Sequence, residues 1–321
     1  MKFIAFIILF FQVPGFSQTP GHAVPAQGST KPVNAFAVAG NSFIKNIGQY
    51  GETITGHAAM GSVKYGFEGA DMLVLFTSKG LIHLHRKIEK LSEREERALE
   101  RKGIPEEEIE KKTRVTDKLI TLEWVGADPA AAVIAEDEIP DYHTYGLLKE
   151  KATGYKKITY KNLYPGIDVV YHFTNSEKPG FEYSIVVQPG ADPGLIKMKY
   201  GGDVKKINLD KNGNLFIHSG INDIIETAPA AFSNTGAVLK LSVDKKEQQH
   251  LYPVSFHQQN NLVGFRVTGY DKTKLLVIDP FVSSTNAGLP GTNVGLAKDI
   301  DFDYDGNVYV AGGVMLFPAA S

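Results

Sequence analysis

Turn-forming clusters recur about every 8 to 15 residues through most of this chain, and no other feature restricts its fold as tightly. Tyr164-Pro165-Gly166, Gln188-Pro189-Gly190-Ala191-Asp192-Pro193-Gly194 and Asp210-Lys211-Asn212-Gly213-Asn214 are three of them. Proline presets φ, glycine accepts positive φ, and Asp or Asn side chains bond nearby amides, so each cluster reverses the chain. Between them lie short runs rich in β-branched and aromatic residues, such as Ser62–Phe67, Met72–Phe76, Gly80–His85, Phe181–Val187 and Leu262–Val267. Such runs read as strands. Parallel strands need crossovers of a dozen residues or more, and these gaps leave no room for them. The spacing therefore predicts an all-β, antiparallel, sandwich-like domain. In Lys118–Val125 the alternation puts Ile120, Leu122 and Trp124 on the more apolar face.

One stretch departs from this texture. Arg86–Lys112 is dense in Glu, Arg and Lys at helical spacing, with Gly103-Ile104-Pro105 in its middle. It predicts a solvated helical insertion of two short helices, the second led by proline.

The N-terminus reads as an address. Met1-Lys2 is followed by the apolar run Phe3–Phe11 and then Pro14-Gly15-Phe16-Ser17. Nine apolar residues span about 14 Å, roughly half a bilayer core, so the segment predicts a signal peptide over residues 1–17 rather than an anchor. Residues 18–42, rich in Pro, Gly, Ala and Ser, predict a flexible leader. The chain has 34 Lys plus Arg against 36 Asp plus Glu, a net charge of −2, which gives no field for a nucleic-acid backbone. It has no cysteine, which excludes disulfides, thiolate metal sites, cysteine nucleophiles and a lipid-modified N-terminal cysteine. The expected location is extracellular or at the cell surface, with no transmembrane segment in the mature chain.

Four blocks carry a resemblance. Asn46-Ile47-Gly48-Gln49-Tyr50, Leu163–Tyr171, Phe181–Pro193 and Leu276–Pro280 resemble, in this order, a domain of unknown function from secreted proteins of the Bacteroidota type. In that setting the domain stands immediately ahead of SBBP-type β-propeller repeats, in proteins associated with gliding motility or type IX secretion. The resemblance covers residues 43–281. The following segment, Gly295–Gly313, looks like one such repeat: Ile300–Phe302 and Val308–Val310 are short strands joined by a Gly-Asn turn. A propeller needs about four to eight blades. A single repeat over 282–321 is therefore expected to be truncated, or part of a longer protein, and no sorting domain accompanies it.

Candidate chemistry is sparse. Asp301, Asp303 and Asp305, followed by Gly306, have the alternate carboxylates that calcium takes, but the closing positions of a calcium loop are Tyr309 and Gly312. Local turn bonds account for the same residues, as they do for Asn208-x-Asp210-x-Asn212. No other cofactor is implied. His83 and His85 share one strand face, half of a metal site without a nameable partner, and read as structural residues in solvent or a polar seam. Glu123, Asp141, Asp168, Glu182 and Glu226 lie in or beside strands as candidate paired carboxylates. Tyr142, Tyr145, Tyr155, Tyr160, Tyr164 and Tyr171 are candidate sugar-stacking rings or packing residues. No nucleophile elbow, phosphate loop, His-Glu-x-x-His or dinucleotide fingerprint is present. The expected function is an exported, non-catalytic module for adhesion, carbohydrate contact or assembly, with a surface polysaccharide or a protein as partner. The alternative is a carbohydrate-active enzyme using a carboxylate pair in a sheet-face cleft.

Overall fold

The computed structural model describes residues 42–69, 73–105, 108–109, 112, 114–146, 148–173, 180–233, 250–285, 296–302 and 308–313. The expected signal peptide and all but the last residue of the leader lie outside them.

Among the described residues, nineteen strands form one continuous antiparallel sheet. Its path is clearest from the pairings. Starting at one end, β16 (Val254–Gln259) pairs with β17 (Leu262–Val267), then come β10 (Met198–Gly202), β5 (Arg114–Trp124), β4 (Gly80–Glu89), β3 (Leu73–Thr77), β2 (Val63–Glu68) and β1 (Phe43–Lys45). The three-residue β1 hands the sheet to the long β7 (Ala152–Tyr164), which continues through β8 (Ile167–His172) to β9 (Phe181–Val187). β6 (Ala132–His143) lines the other edge of β7.

At β9 the sheet divides. One half of its free edge takes β18 (Leu276–Asp279), the other takes β19 (Phe281–Thr285), with Pro280 between them. β18 leads to β14 (Ala230–Ser233) and β15 (His250–Tyr252), while β19 leads to β13 (Asp223–Glu226), β12 (Leu215–His218) and β11 (Lys206–Leu209). Gln258 Nε2 on β16 donates to the Ile207 carbonyl on β11 at 3.0 Å, so the two ends of the path meet. The expected sandwich-like arrangement is thus replaced by one sheet curled almost into a barrel. Pairing through β1 joins what would otherwise be two separate layers. The sheet also runs to Thr285, past the expected domain edge at 281, because β19 completes the pairing of β13.

Alternation fills the interior. Ile120, Leu122 and Trp124 do face the core, where they meet Phe43, Phe76, Tyr160, Tyr171, Phe181, Tyr183 and Ile185. Phe43, the second of the described residues, stacks on Phe173 at 4.3 Å and meets Phe76 edge-on at 5.1 Å. A second, smaller core lies on the opposite face of β2, β3 and β4, where Tyr50, Ile54 and Met60 cover Val63, Leu73, Leu75, Ile82 and Leu84. Gly66 permits this cover, since a Cβ there would lie 2.4 Å from the Tyr50 ring.

In the charged insertion, strand pairing continues further than expected. Arg86–Glu89 pair with Arg114–Asp117 in an extended hairpin, clamped by a two-bond Arg86–Asp117 ion pair at 2.6 Å. Helix α1 (Glu93–Glu100) follows, opened by a Ser92/Glu95 capping box. It closes at Gly103 with bonds from Gly103 N to Glu100 O and from Ile104 N to Leu99 O, a Schellman stop. At the proline-led restart, the Glu108 and Ile109 amides both reach the Pro105 carbonyl. β20 (Leu296–Phe302) and β21 (Val308–Gly313) form a separate antiparallel hairpin, with Ile300 opposite Val310. No helix among the described residues is long and apolar enough to cross a membrane.

Candidate functional site

Two polar clusters stand out from this apolar frame, one inside the sheet and one on its outer face. The inner cluster centres on Glu226. On β13, Ile224 and Glu226 share the inward face, so the strand delivers a carboxylate into the core, 1% exposed. Tyr183 of β9 donates to Glu226 Oε2 at 2.7 Å and Tyr200 of β10 donates to Oε1. Burial pushes the Glu226 pKa up, and the two hydroxyls only partly offset it. The Tyr171 hydroxyl and Trp124 Nε1 are both buried and lie beside each other. Trp124 meets Tyr183 edge-on at 6.4 Å, and Tyr171 packs on it at 5.7 Å. Packed rings surround this carboxyl.

The outer cluster arises from strand register. His172 stands opposite Glu182 across β8 and β9, and Ile185 opposite Ile278 brings Ser184 beside Asp279 across β9 and β18. His172, Glu182, Ser184 and Asp279 therefore share one face. Ser184 Oγ donates to Asp279 Oδ1 at 2.8 Å and lies 2.9 Å from His172 Nε2. Ser184 is fully buried and His172 nearly so, while Glu182 and Asp279 are half-buried. One ligand atom each from His172, Glu182 and Asp279 falls within 4.8 Å of the others. Burial lowers the His172 pKa, opposed by Asp279 and a bond to the Phe173 main chain. This is not a hydrolase triad, because the hydroxyl is sealed and gives its proton to the carboxylate instead of to the imidazole.

The residues singled out in the sequence separate into distinct places. His83 and His85 do share a face, and it is the core face: His83 is 2% exposed and His85 is sealed, with Nδ1 3.2 Å from Ser219 Oγ. Burial lowers their pKa values to about 3 and about 4. Asp168 is held by Lys161 Nζ at 2.5 Å and by the Asn162 amide at 2.6 Å. Glu123 is half-buried on the outer side of β5, and the Asp141 side chain lies outside the described residues. Among the tyrosines, Tyr160, Tyr164 and Tyr171 are core residues, and Tyr155 packs edge-on to Tyr65. Tyr145 donates to Glu68 at 2.9 Å. Tyr142 stands exposed on β6 with the Lys151 ammonium 3.7 Å from its ring centre.

Asp210 spends its carboxylate on the Asn212 and Asn214 amides, as a turn residue does. Of the calcium candidates, Asp301 lies in β20 with its side chain outside the described residues, and Asp303 and Asp305 lie outside them altogether. Sequence reasoning picked out Glu182 and Glu226 but neither cluster. Parity along a strand would have placed Glu182 with Ser184, yet only the pairing of β8, β9 and β18 adds His172 and Asp279.

The fold and its clusters define an all-β domain with a side-chain-filled, barrel-like sheet. Residues 43–281 match the family model described as a domain of unknown function (DUF7948), and the chain belongs to that family. No curated protein and no solved structure matches it.

Proposed function

We propose that this domain is a non-catalytic module of an exported or cell-surface protein, which binds a surface polysaccharide or a protein partner through its outer faces. The carrying observation is the placement of the strand carboxylates. Glu226 is locked between two tyrosines, and Asp168 is paired with Lys161. With the interior taken up by rings, recognition falls to the outside of the sheet, where Tyr142 offers an exposed aromatic face. The apolar N-terminal run and the likeness to secreted Bacteroidota-type domains that precede SBBP-type repeats support export and assembly into a larger propeller protein.

One observation favours the alternative, a carbohydrate-active enzyme. Glu182 and Asp279 are two carboxylates on one face, with one oxygen of each within 4.8 Å of the other, and retaining glycosidases also use a closely spaced acid pair. Ser184 Oγ donates to Asp279 and lies against His172 Nε2, so hydrogen bonds within the cluster already engage one of the two acids. The test is to incubate the chain with a panel of bacterial polysaccharides and measure retention and reducing-end release together. Retention without release is expected, and weakened by Tyr142→Ala. Release that disappears in Glu182→Gln and Asp279→Asn would replace this reading with the enzymatic one.

A further inference from the structure

We propose that His172, Glu182 and Asp279 hold a single divalent transition-metal ion, zinc by preference, on the outer face of β8, β9 and β18. The donors come from three adjacent strands whose register is fixed by backbone bonds, so their Cα positions are rigid. Two ligands of one tetrahedral zinc ion at ~2.1 Å bonds stand ~3.4 Å apart. The three ligand atoms already lie within 4.8 Å of one another, and side-chain rotation that moves each by under about 1 Å closes the remainder.

The donor set selects the ion. One imidazole nitrogen with two carboxylates suits zinc or manganese, whereas calcium asks for six to eight oxygens and magnesium for a largely hydrated shell. Ser184 sits beneath the centre, bonded to Asp279, where it orients one ligand from behind as metal sites commonly require. On binding, His172 Nε2 would exchange its contact with Ser184 for the ion. The three protein ligands leave at least one coordination position open, for water or for an oxygen of whatever the face binds. The site stands whether the domain contacts a glycan or another protein.

The experiment uses the untagged full chain, freed of metal with a chelator and dialysed. Titration with zinc chloride by calorimetry is expected to give one equivalent bound with a micromolar or tighter Kd, and a raised Tm. Asp279→Asn and Glu182→Gln are each expected to weaken zinc at least tenfold. Glu182 is half-buried, so its variant keeps the fold and guards against a loss that is merely misfolding, which circular dichroism checks. Cobalt(II) is expected to give visible absorption of low-symmetry nitrogen and oxygen coordination in the parent chain and lose it in Asp279→Asn. Absence of stoichiometric zinc binding, undiminished binding in both variants, or binding of calcium in preference to zinc would each overturn the proposal.

Discussion

At the scale of single residues, the buried polar groups set how the domain responds to pH. Glu226 and the histidines act in opposite directions. Because burial raises the Glu226 pKa above its unfolded value, its contribution is full below about 4.5 and is lost as pH rises through the folded value. Glu226→Gln keeps one acceptor oxygen and turns the other contact into an amide N–H donating to a tyrosine hydroxyl, without the charge, and is expected to match or exceed parent stability at pH 7 in urea unfolding. Glu226→Ala strands both hydroxyls and is expected to cost about 3 to 5 kcal/mol. His83 shows the reverse sign. Its pKa falls from 6.5 to about 3 on folding, so stability is full above 6.5 and is lost as pH falls toward 3. Between pH 7 and 5 this amounts to about 2 kcal/mol, and His83→Leu is expected to remove that part of the acid sensitivity. The sequence placed His83 and His85 on one face but not on the inner one. Both faces of β4 are apolar, since Leu81 faces the main core while Ile82 and Leu84 face the second. With cover on both sides, alternation loses its meaning as a guide to what is inside.

At the scale of elements, the β3–β4 turn is the most constrained. Tyr160 reaches across the interior from β7, and its hydroxyl donates to the Thr77 and Gly80 carbonyls at 2.7 and 3.1 Å. Gly80 has φ 154°, and a Cβ there would stand 1.9 Å from the Leu122 carbonyl oxygen. Gly80→Ala is therefore expected to misplace the β4–β5 pairing and lower Tm by more than 10 °C, or prevent soluble expression. Elements of this kind were legible, because Ser78-Lys79-Gly80 between two apolar runs is a turn signal. β6 was not. Its Glu136, Asp137, Glu138 and Pro140 argue against a strand, yet among the described residues β6 pairs only with β7, and edges accept charges and proline. Asp137 at φ 58° marks the irregularity that accommodates them. The short β13, β14 and β15 were also missed, since three or four residues carry too little pattern to separate from loop. They are strands because long-range neighbours hold them.

At the scale of the whole molecule, the first and last described strands of the large sheet meet in one core. Phe43 touches Phe181, which pairs with Val282, and all three are buried. Residues 42–285 alone are expected to unfold in one cooperative transition by calorimetry, with the Tm of the full chain. Ending at residue 273 removes β18 and β19, uncovers the free edge of β9, and is expected to abolish that transition. A time delay follows from the same arrangement during synthesis. β9 is complete at Val187, but its neighbour β18 begins only at Leu276, 89 residues later. At about 5 to 20 residues per second, a ribosome takes roughly 4 to 18 s to deliver it. For that interval the hub of the sheet has one neighbour missing, and the nascent polypeptide stays open to a chaperone or a translocase.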